Sequence, residues 1–178
     1  MEKIPNWYVV SGGPSSGKTT LINELAARGY KIIPEAARFL IEQKIEEGKS
    51  VKDIQNTNEF QKEVLDLQLE NEKNAPKDEV VFFDRAICDG LAYCKFQKLD
   101  VPEYANLDLR GCYKKVFFCE QLPLYKDNVR IENDEAAREL SRLICQTYQD
   151  LDYEIINLPA TSTPDDRIKT VLSEIGEF

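Results

Sequence analysis

The chain has 178 residues, 42% of them hydrophobic and 31% charged, enough to bury a core in one globular domain and too apolar for a disordered chain. Its formal net charge of −9 is poorly suited to tracking a phosphate backbone, and no basic cluster is visible, so a nucleic-acid partner is not expected. Nothing resembles a signal peptide, and no apolar run is long enough to span a membrane.

In chain order, Trp7-Tyr8-Val9-Val10 is a short aromatic and β-branched run, the signal of a buried strand. Gly12-Gly13-Pro14-Ser15-Ser16-Gly17-Lys18-Thr19 follows, a glycine, four free positions and then Gly-Lys-Thr, as in a phosphate-binding loop. Leu21, Ile22 and Leu25 then recur at helical spacing, with Gly29 where a C-terminal cap belongs. Strand, loop and helix are the context the motif requires. Gly12 and Gly17 permit close approaches that a side chain would block. The loop amides and the helix N-terminus favour a polyphosphate. Lys18 supplies a point charge to the β- and γ-phosphates, and the Thr19 hydroxyl can ligate Mg²⁺.

Tyr30-Lys31-Ile32-Ile33 reads as a second strand stopped by Pro34, followed by a helix with Ala37, Leu40, Ile41 and Ile45 on one face and Gly48 as its stop. Asn56 with Glu59 resembles a capping box, opening a long helix through Phe60, Val64 and Leu67. Val80-Val81-Phe82-Phe83-Asp84 is the continuous apolar run of a central parallel strand. A helix with Ile87, Leu91 and Cys94 and an irregular stretch around Pro102 to Gly111 lead to a fourth strand, Val116-Phe117-Phe118-Cys119. Asn133 is expected to open a helix with Leu140, Leu143 and Ile144 inward. Tyr153 to Leu158 is the last strand, and Thr163-Pro164 start a closing helix through Ile168, Val171, Leu172 and Ile175. This alternation predicts a single α/β domain over residues 1–178, a P-loop NTPase three-layer sandwich. A parallel sheet of about five strands, in expected order 2-3-1-4-5, would carry helices on both faces.

In such sheets ligands sit beyond the carboxyl ends of the strands. After the second strand, Glu35 and Arg38 would share one helical face if the helix starts at Pro34. They suit either a bound acceptor or an ordinary first-turn acid with an exposed partner. After the third, Asp84 can enter a Mg²⁺ shell or accept a hydroxyl proton, and Arg85 can reach phosphoryl oxygens; the plainer alternative is a capping Asp beside a solvated Arg. After the fourth, a segment around 120–142 carries Arg130, Arg138 and Arg142, suited to a lid over the transferring group or to a salt-bridged surface helix. Pro159-Ala160-Thr161 after the last strand is a weak candidate for a nucleotide-base contact. Histidine is absent, so any general base is a carboxylate, Lys, Tyr or Cys. The five cysteines, Cys88, Cys94, Cys112, Cys119 and Cys145, form no Cys-x-x-Cys pair and read as reduced packing residues of a cytoplasmic protein rather than zinc ligands.

These motifs, in the order Gly-Gly-Pro-x-x-Gly-Lys-Thr-Thr, Pro-Glu-Ala-Ala-Arg, Phe-Phe-Asp-Arg and Val-Arg-Ile-Glu…Glu-Ala-Ala-Arg, resemble the NadR-like AAA domain family from Trp7 to Ile175. That family includes ribosylnicotinamide kinase domains and stand-alone ATPases or kinases of unassigned substrate. The resemblance implies Gly12 to Thr20 as the nucleotide site, to which Arg142 is added by its place one turn beyond Arg138 on the same helical face. It implies Glu35, Arg38 and Asp84 on the acceptor side, Thr19 and Asp84 toward Mg²⁺, and Arg130 and Arg138 in a lid. Asp84-Arg85-Ala86 itself looks more like thymidylate and deoxynucleoside kinases. The expectation is therefore a kinase with ATP (or GTP) and Mg²⁺ as cofactors and a small, nucleoside- or nucleotide-like phosphoryl acceptor as partner. Lys18, Asp84, Arg85, Arg130 and Arg138 would carry the chemistry. A nucleotide-binding regulatory module with a protein or lipid partner is the alternative, although no Asn/Thr-Lys-x-Asp guanine motif is present.

Overall fold

The computed structural model describes residues 4–54, 57–101, 108–122 and 131–177. Five parallel strands form one sheet, β1 (Trp7–Gly12), β2 (Lys31–Ile33), β3 (Val81–Asp84), β4 (Lys115–Cys119) and β5 (Ile155–Leu158), in the order β2-β3-β1-β4-β5. Strict alternation along the central strands sends side chains to two cores. Trp7, Val9, Val81, Phe83, Val116 and Phe118 face one side, and Tyr8, Val10, Phe82, Phe117, Cys119 and Leu158 face the other. The single tryptophan sits at the amino end of β1, buried, edge-on to Phe83 at 5.3 Å, with its indole N–H donating to the Pro76 carbonyl.

Helices α1 (Lys18–Ala27) and α7 (Pro164–Ile175) cover the second core through Leu21, Leu25, Ile168 and Val171. Helices α2 (Ala36–Glu46), α3 (Val51–Ile54) and α4 (Asn58–Asn74) share a smaller cluster of Ala36, Ile54, Phe60 and Val64, and Lys44 of α2 pairs with Glu63 of α4 at 2.7 Å. Helices α5 (Ile87–Gln97) and α6 (Ile131–Asp150) pack on the first core through Cys88, Ala92, Leu140, Ile144 and Tyr148. Thr163 caps α7 as expected, and Asp166 completes the capping box.

Several local expectations change. The α4 cap is Thr57, whose side chain accepts from Phe60 N; Asn56 lies outside the described residues. The second helix starts at Ala36, not at Pro34, because Glu35 is extended and acts as its N-cap. Ile45, expected inward, is 47% exposed, since the apolar face of α2 is filled by Ala36, Ala37, Leu40 and Ile41. Helix α6 already runs from Ile131, so Asn133 lies inside it rather than capping it. The short α3 had no readable period. Among the described residues no helix is long and apolar enough to cross a membrane.

Candidate active site

The loop after β1 is shaped by close backbone approaches. Gly12 has φ +141°, and a Cβ there would lie 2.4 Å from the Cys119 carbonyl oxygen, a position only glycine fits. A Cβ on Gly13 would meet Ser141 Cβ at 2.8 Å, so α6 rests directly on the loop. Gly17 is left-handed at φ 81° and forms the N-cap of α1. The buried Lys18 ammonium donates to the Gly13 carbonyl at 3.4 Å. Burial, then the charge of Arg85, lowers its pKa against the opposing pull of Glu35, Asp84 and Asp89. Pro14, Ser15, Thr19 and Thr20 are exposed, while Ser16 is buried with its hydroxyl unpartnered among the described residues.

An anchor absent from the sequence reading holds this loop from behind. Arg167, 4% exposed on α7, donates to the carbonyls of Ser16 at 2.6 Å and Pro159 at 2.9 Å, with Glu120 at 3.4 Å. One guanidinium thus joins the phosphate loop to the turns after β4 and β5. Its fork of donors suits several carbonyls at once. In sequence it is only a basic residue beside Ile168 on an amphipathic helix.

At the end of β3, Asp84 and Arg85 lie beside the loop, and Arg85 N donates to the Val10 carbonyl at 3.1 Å. Burial, then the charge of Glu35, pushes the Asp84 carboxyl up to about 6 against the pull of Lys18 and Arg85. Its Oδ1 is buried with no hydrogen-bond partner among the described residues. This oxygen and the Thr19 hydroxyl are hard donors of the kind Mg²⁺ takes, so the residues fit that ion. Among the described residues, no group of three or more His, Cys, Asp or Glu is placed to hold a metal by itself. Magnesium beside a phosphate chain needs few protein ligands.

Arg85 is not solvated. It is left-handed at φ 64° and buried, with its guanidinium 5.4 Å from the Tyr93 ring centroid. Its Nη1 donates to Asp89 Oδ1 at 3.0 Å, and its Nε lies 3.3 Å from Glu35 Oε1, an ion pair without hydrogen-bond alignment. Burial opposes its charge, but Tyr93, Asp89, Glu35 and Asp84 together raise its pKa.

Glu35, Arg38 and Arg85 line one cavity of about 390 Å³ between α2, α4 and α5. Phe60, Val64 and Tyr93 give it apolar and aromatic wall, and Gln61, Gln68 and Gln97 give it amide wall. Gln61 donates to Gln97 across the α4–α5 boundary at 3.2 Å. Gly90 allows that boundary to close, because a Cβ there would meet Leu65 Cδ2 at 2.7 Å and Gln68 Oε1 at 2.8 Å. The sequence reading missed Asp89, Tyr93 and the glutamines. Only the one-turn spacing of Arg85 and Asp89 was available as a signal.

The arginines of α6 stand apart. Arg138 and Arg142 are exposed and share a shallow depression with Phe96, outside the cavity lining. Arg142 pairs with Glu139 at 2.8 and 3.0 Å. Residues 123–130 of the expected lid segment around 120–142, Arg130 among them, lie outside the described residues. A smaller hollow beside the loop is lined by Gly17, Thr20, Leu21, Leu122, Ser162, Pro164 and Arg167; Pro159, Ala160 and Thr161, where a base contact was expected, are not in its lining.

A model of an AAA domain family matches residues 7–167. No curated protein matches the chain in sequence. Among solved structures, NadR in complex with NR superposes with a TM-score of 0.67 at 17% identity, covering 97% of this chain and 51% of that one. The chain thus spans about half the length of that protein. Deoxyadenosine kinase from M. mycoides with bound dATP gives 0.61 at 16% identity, covering 95% of this chain and 98% of that one. Shikimate kinase from Aquifex aeolicus gives 0.54 at 15%, covering 95% of each. At these identities the likeness is one of fold, and the fold is that of small-molecule P-loop kinases.

Proposed function

The chain belongs to the AAA domain family, and we propose that it is a cytoplasmic phosphotransferase of the NadR-like kinase type. It moves the γ-phosphoryl group of ATP, with GTP as the alternative donor, to a hydroxyl or phosphate of a small nucleoside-like acceptor. The observation that carries this reading is the walled cavity lined by Glu35 and Arg85, with Arg85 N bonded to the Val10 carbonyl of the strand that enters the phosphate loop. A hydrolase or nucleotide switch needs no such second compartment.

In this reading Gly12 to Thr20 bind the donor, and Lys18 orients its terminal phosphates. Thr19 and Asp84 would hold Mg²⁺, which when bound neutralises charge on the β- and γ-phosphates. Glu35 and Arg38 at the cavity wall orient the acceptor, and Asp84 takes the proton of its hydroxyl as oxygen attacks phosphorus and ADP leaves. Arg85 is a buried cation beside the developing charge. Arg130, Arg138 and Arg142 belong to a segment that closes over the donor, which for Arg142 requires release from Glu139.

The test is an ADP-release screen over nucleosides, nucleotides, nicotinamide riboside and vitamin-like alcohols. Acceptor-stimulated turnover is expected for the wild type. In Asp84→Asn it should fall about a thousandfold with ATP affinity retained. Wild-type-like turnover in that variant would remove Asp84 from the chemistry. Nucleotide-dependent affinity for a protein or lipid, with no acceptor effect, would replace the kinase by a regulatory module.

A further inference from the structure

Asp89 lies outside every motif of the sequence, yet its carboxylate takes four hydrogen bonds beside the site. It is 1% exposed, in the first turn of α5. Oδ1 accepts from Ser11 Oγ at 2.6 Å and from Arg85 Nη1 at 3.0 Å. Oδ2 accepts from the Tyr148 hydroxyl at 2.6 Å and from Ala86 N at 3.1 Å. The donors come from the carboxyl end of β1 before the phosphate loop, from the turn after β3, and from α6, the helix resting on Gly13.

We propose that Asp89 is a positioning residue that fixes the Arg85 guanidinium, and through it Glu35, at the junction of the phosphate loop and the cavity. This rests on reading the cavity as the acceptor site. With both oxygens saturated by protein donors, Asp89 has little left to offer a ligand and acts through Arg85. A buried ion pair is a poor source of stability, since desolvating both charges offsets most of their attraction. What the pair supplies is geometry. An arginine side chain has many rotamers, and one beside an open cavity can swing into it. Here Asp89 holds Nη1, Glu35 faces Nε and Tyr93 covers the ring-like face, so a single orientation remains. Asp89 is itself held by Ser11 and Tyr148, so its own rotamer does not absorb the load. Its load is thus carried toward the cavity wall, while Ser11, on the strand leading into the phosphate loop, serves to hold the carboxylate in place.

Two measurements test this on the full chain. The first is the arginine side-chain N–H spectrum by NMR, in which Arg85 should give a resolved, slowly exchanging signal. In Asp89→Asn that signal should merge with the exposed arginines while the backbone spectrum is kept. The second is ADP release with adenosine and thymidine as probes, beside binding of a fluorescent ATP analogue. Asp89→Asn should raise the nucleoside KM about tenfold or more and change ATP affinity by less than about twofold. The double variant Arg85→Gln/Asp89→Asn should be no worse than Arg85→Gln, because both act through one guanidinium. If Asp89→Asn does not fold, Tyr148→Phe removes one tether and should move both readouts in the same direction by a smaller factor. An unchanged Arg85 signal, parallel loss of ATP affinity, or multiplying losses in the double variant would overturn the proposal. No turnover of either nucleoside would count instead against the nucleoside-kinase reading, and the Arg85 signal would then decide the positioning role alone.

Discussion

The phosphate loop is shaped by backbone, whereas the cavity beside it is walled by side chains from three helices. At the loop, Gly12 meets a carbonyl, Gly13 meets α6, and Arg167 grips carbonyls from beneath. At the cavity, Glu35, Arg85, Tyr93 and three glutamines meet from positions far apart in the chain. A backbone cradle tolerates few residue types and so leaves a local pattern. A side-chain wall admits many solutions, each suited to a different ligand. On the proposed reading, the donor half is therefore generic, and the acceptor half is where this chain is individual.

That contrast can be broken from the loop side first. Arg167→Met leaves the Ser16 carbonyl without its donor and the Pro159 carbonyl with Ser162 N alone, and a buried unpaired group costs about 1–3 kcal/mol. The expected result is a fall in Tm of roughly 10 °C and at least about tenfold weaker ATP binding, with the Arg85 NMR signal unchanged. Loss of the Arg85 signal in parallel would mean that the two halves are one mechanical unit.

Gly90→Ala probes the other side. The added methyl meets Leu65 and Gln68 at the α4–α5 boundary, which overpacking makes unfavourable by about 1–3 kcal/mol, partly offset by the helix preference of alanine. Nucleoside KM should rise about fivefold with ATP affinity unchanged, the reverse of the Arg167 pattern. Equal effects on both ligands would erase the distinction.

The smallest effect belongs to a residue in neither half. Glu72 on α4 accepts from the Tyr113 hydroxyl, and burial, against the pull of that bond, pushes its carboxyl up to about 7 from 4.5. The folded protein then holds a proton that the unfolded chain releases, so the contribution of Glu72 to stability is full below pH 4.5 and is lost as pH rises through about 7. Glu72→Gln keeps the hydrogen bond without the charge. It should stabilise the protein by about 1–2 kcal/mol at pH 8 and flatten that limb of the stability profile. A denaturation series at pH 5 and pH 8 checks it, and both ligand affinities should stay put.

The strands, their order and the phosphate loop were legible because each is a local pattern: an apolar run, a glycine spacing, a capped helix. Glu35 and Asp84 were legible because they follow strand ends. Asp89 and Arg167 were not. Each occupies an ordinary position on an amphipathic helix, and only the fold reveals that its partners are Ser11 and Tyr148 in one case and Ser16 and Pro159 in the other. Element edges failed for a similar reason, since Thr57 and Asn56 are equally good caps until the helix axis is fixed.

Trp7 gives these experiments a convenient separation. It is the lone indole of the chain, buried at the amino end of β1, while the phosphate loop begins at the carboxyl end of the same strand. Its fluorescence follows the integrity of the core against Phe83, at the opposite end of β1 from the phosphate loop. Emission from this one ring can therefore certify that a variant is folded in the same cuvette in which an extrinsic dye on the nucleotide reports binding.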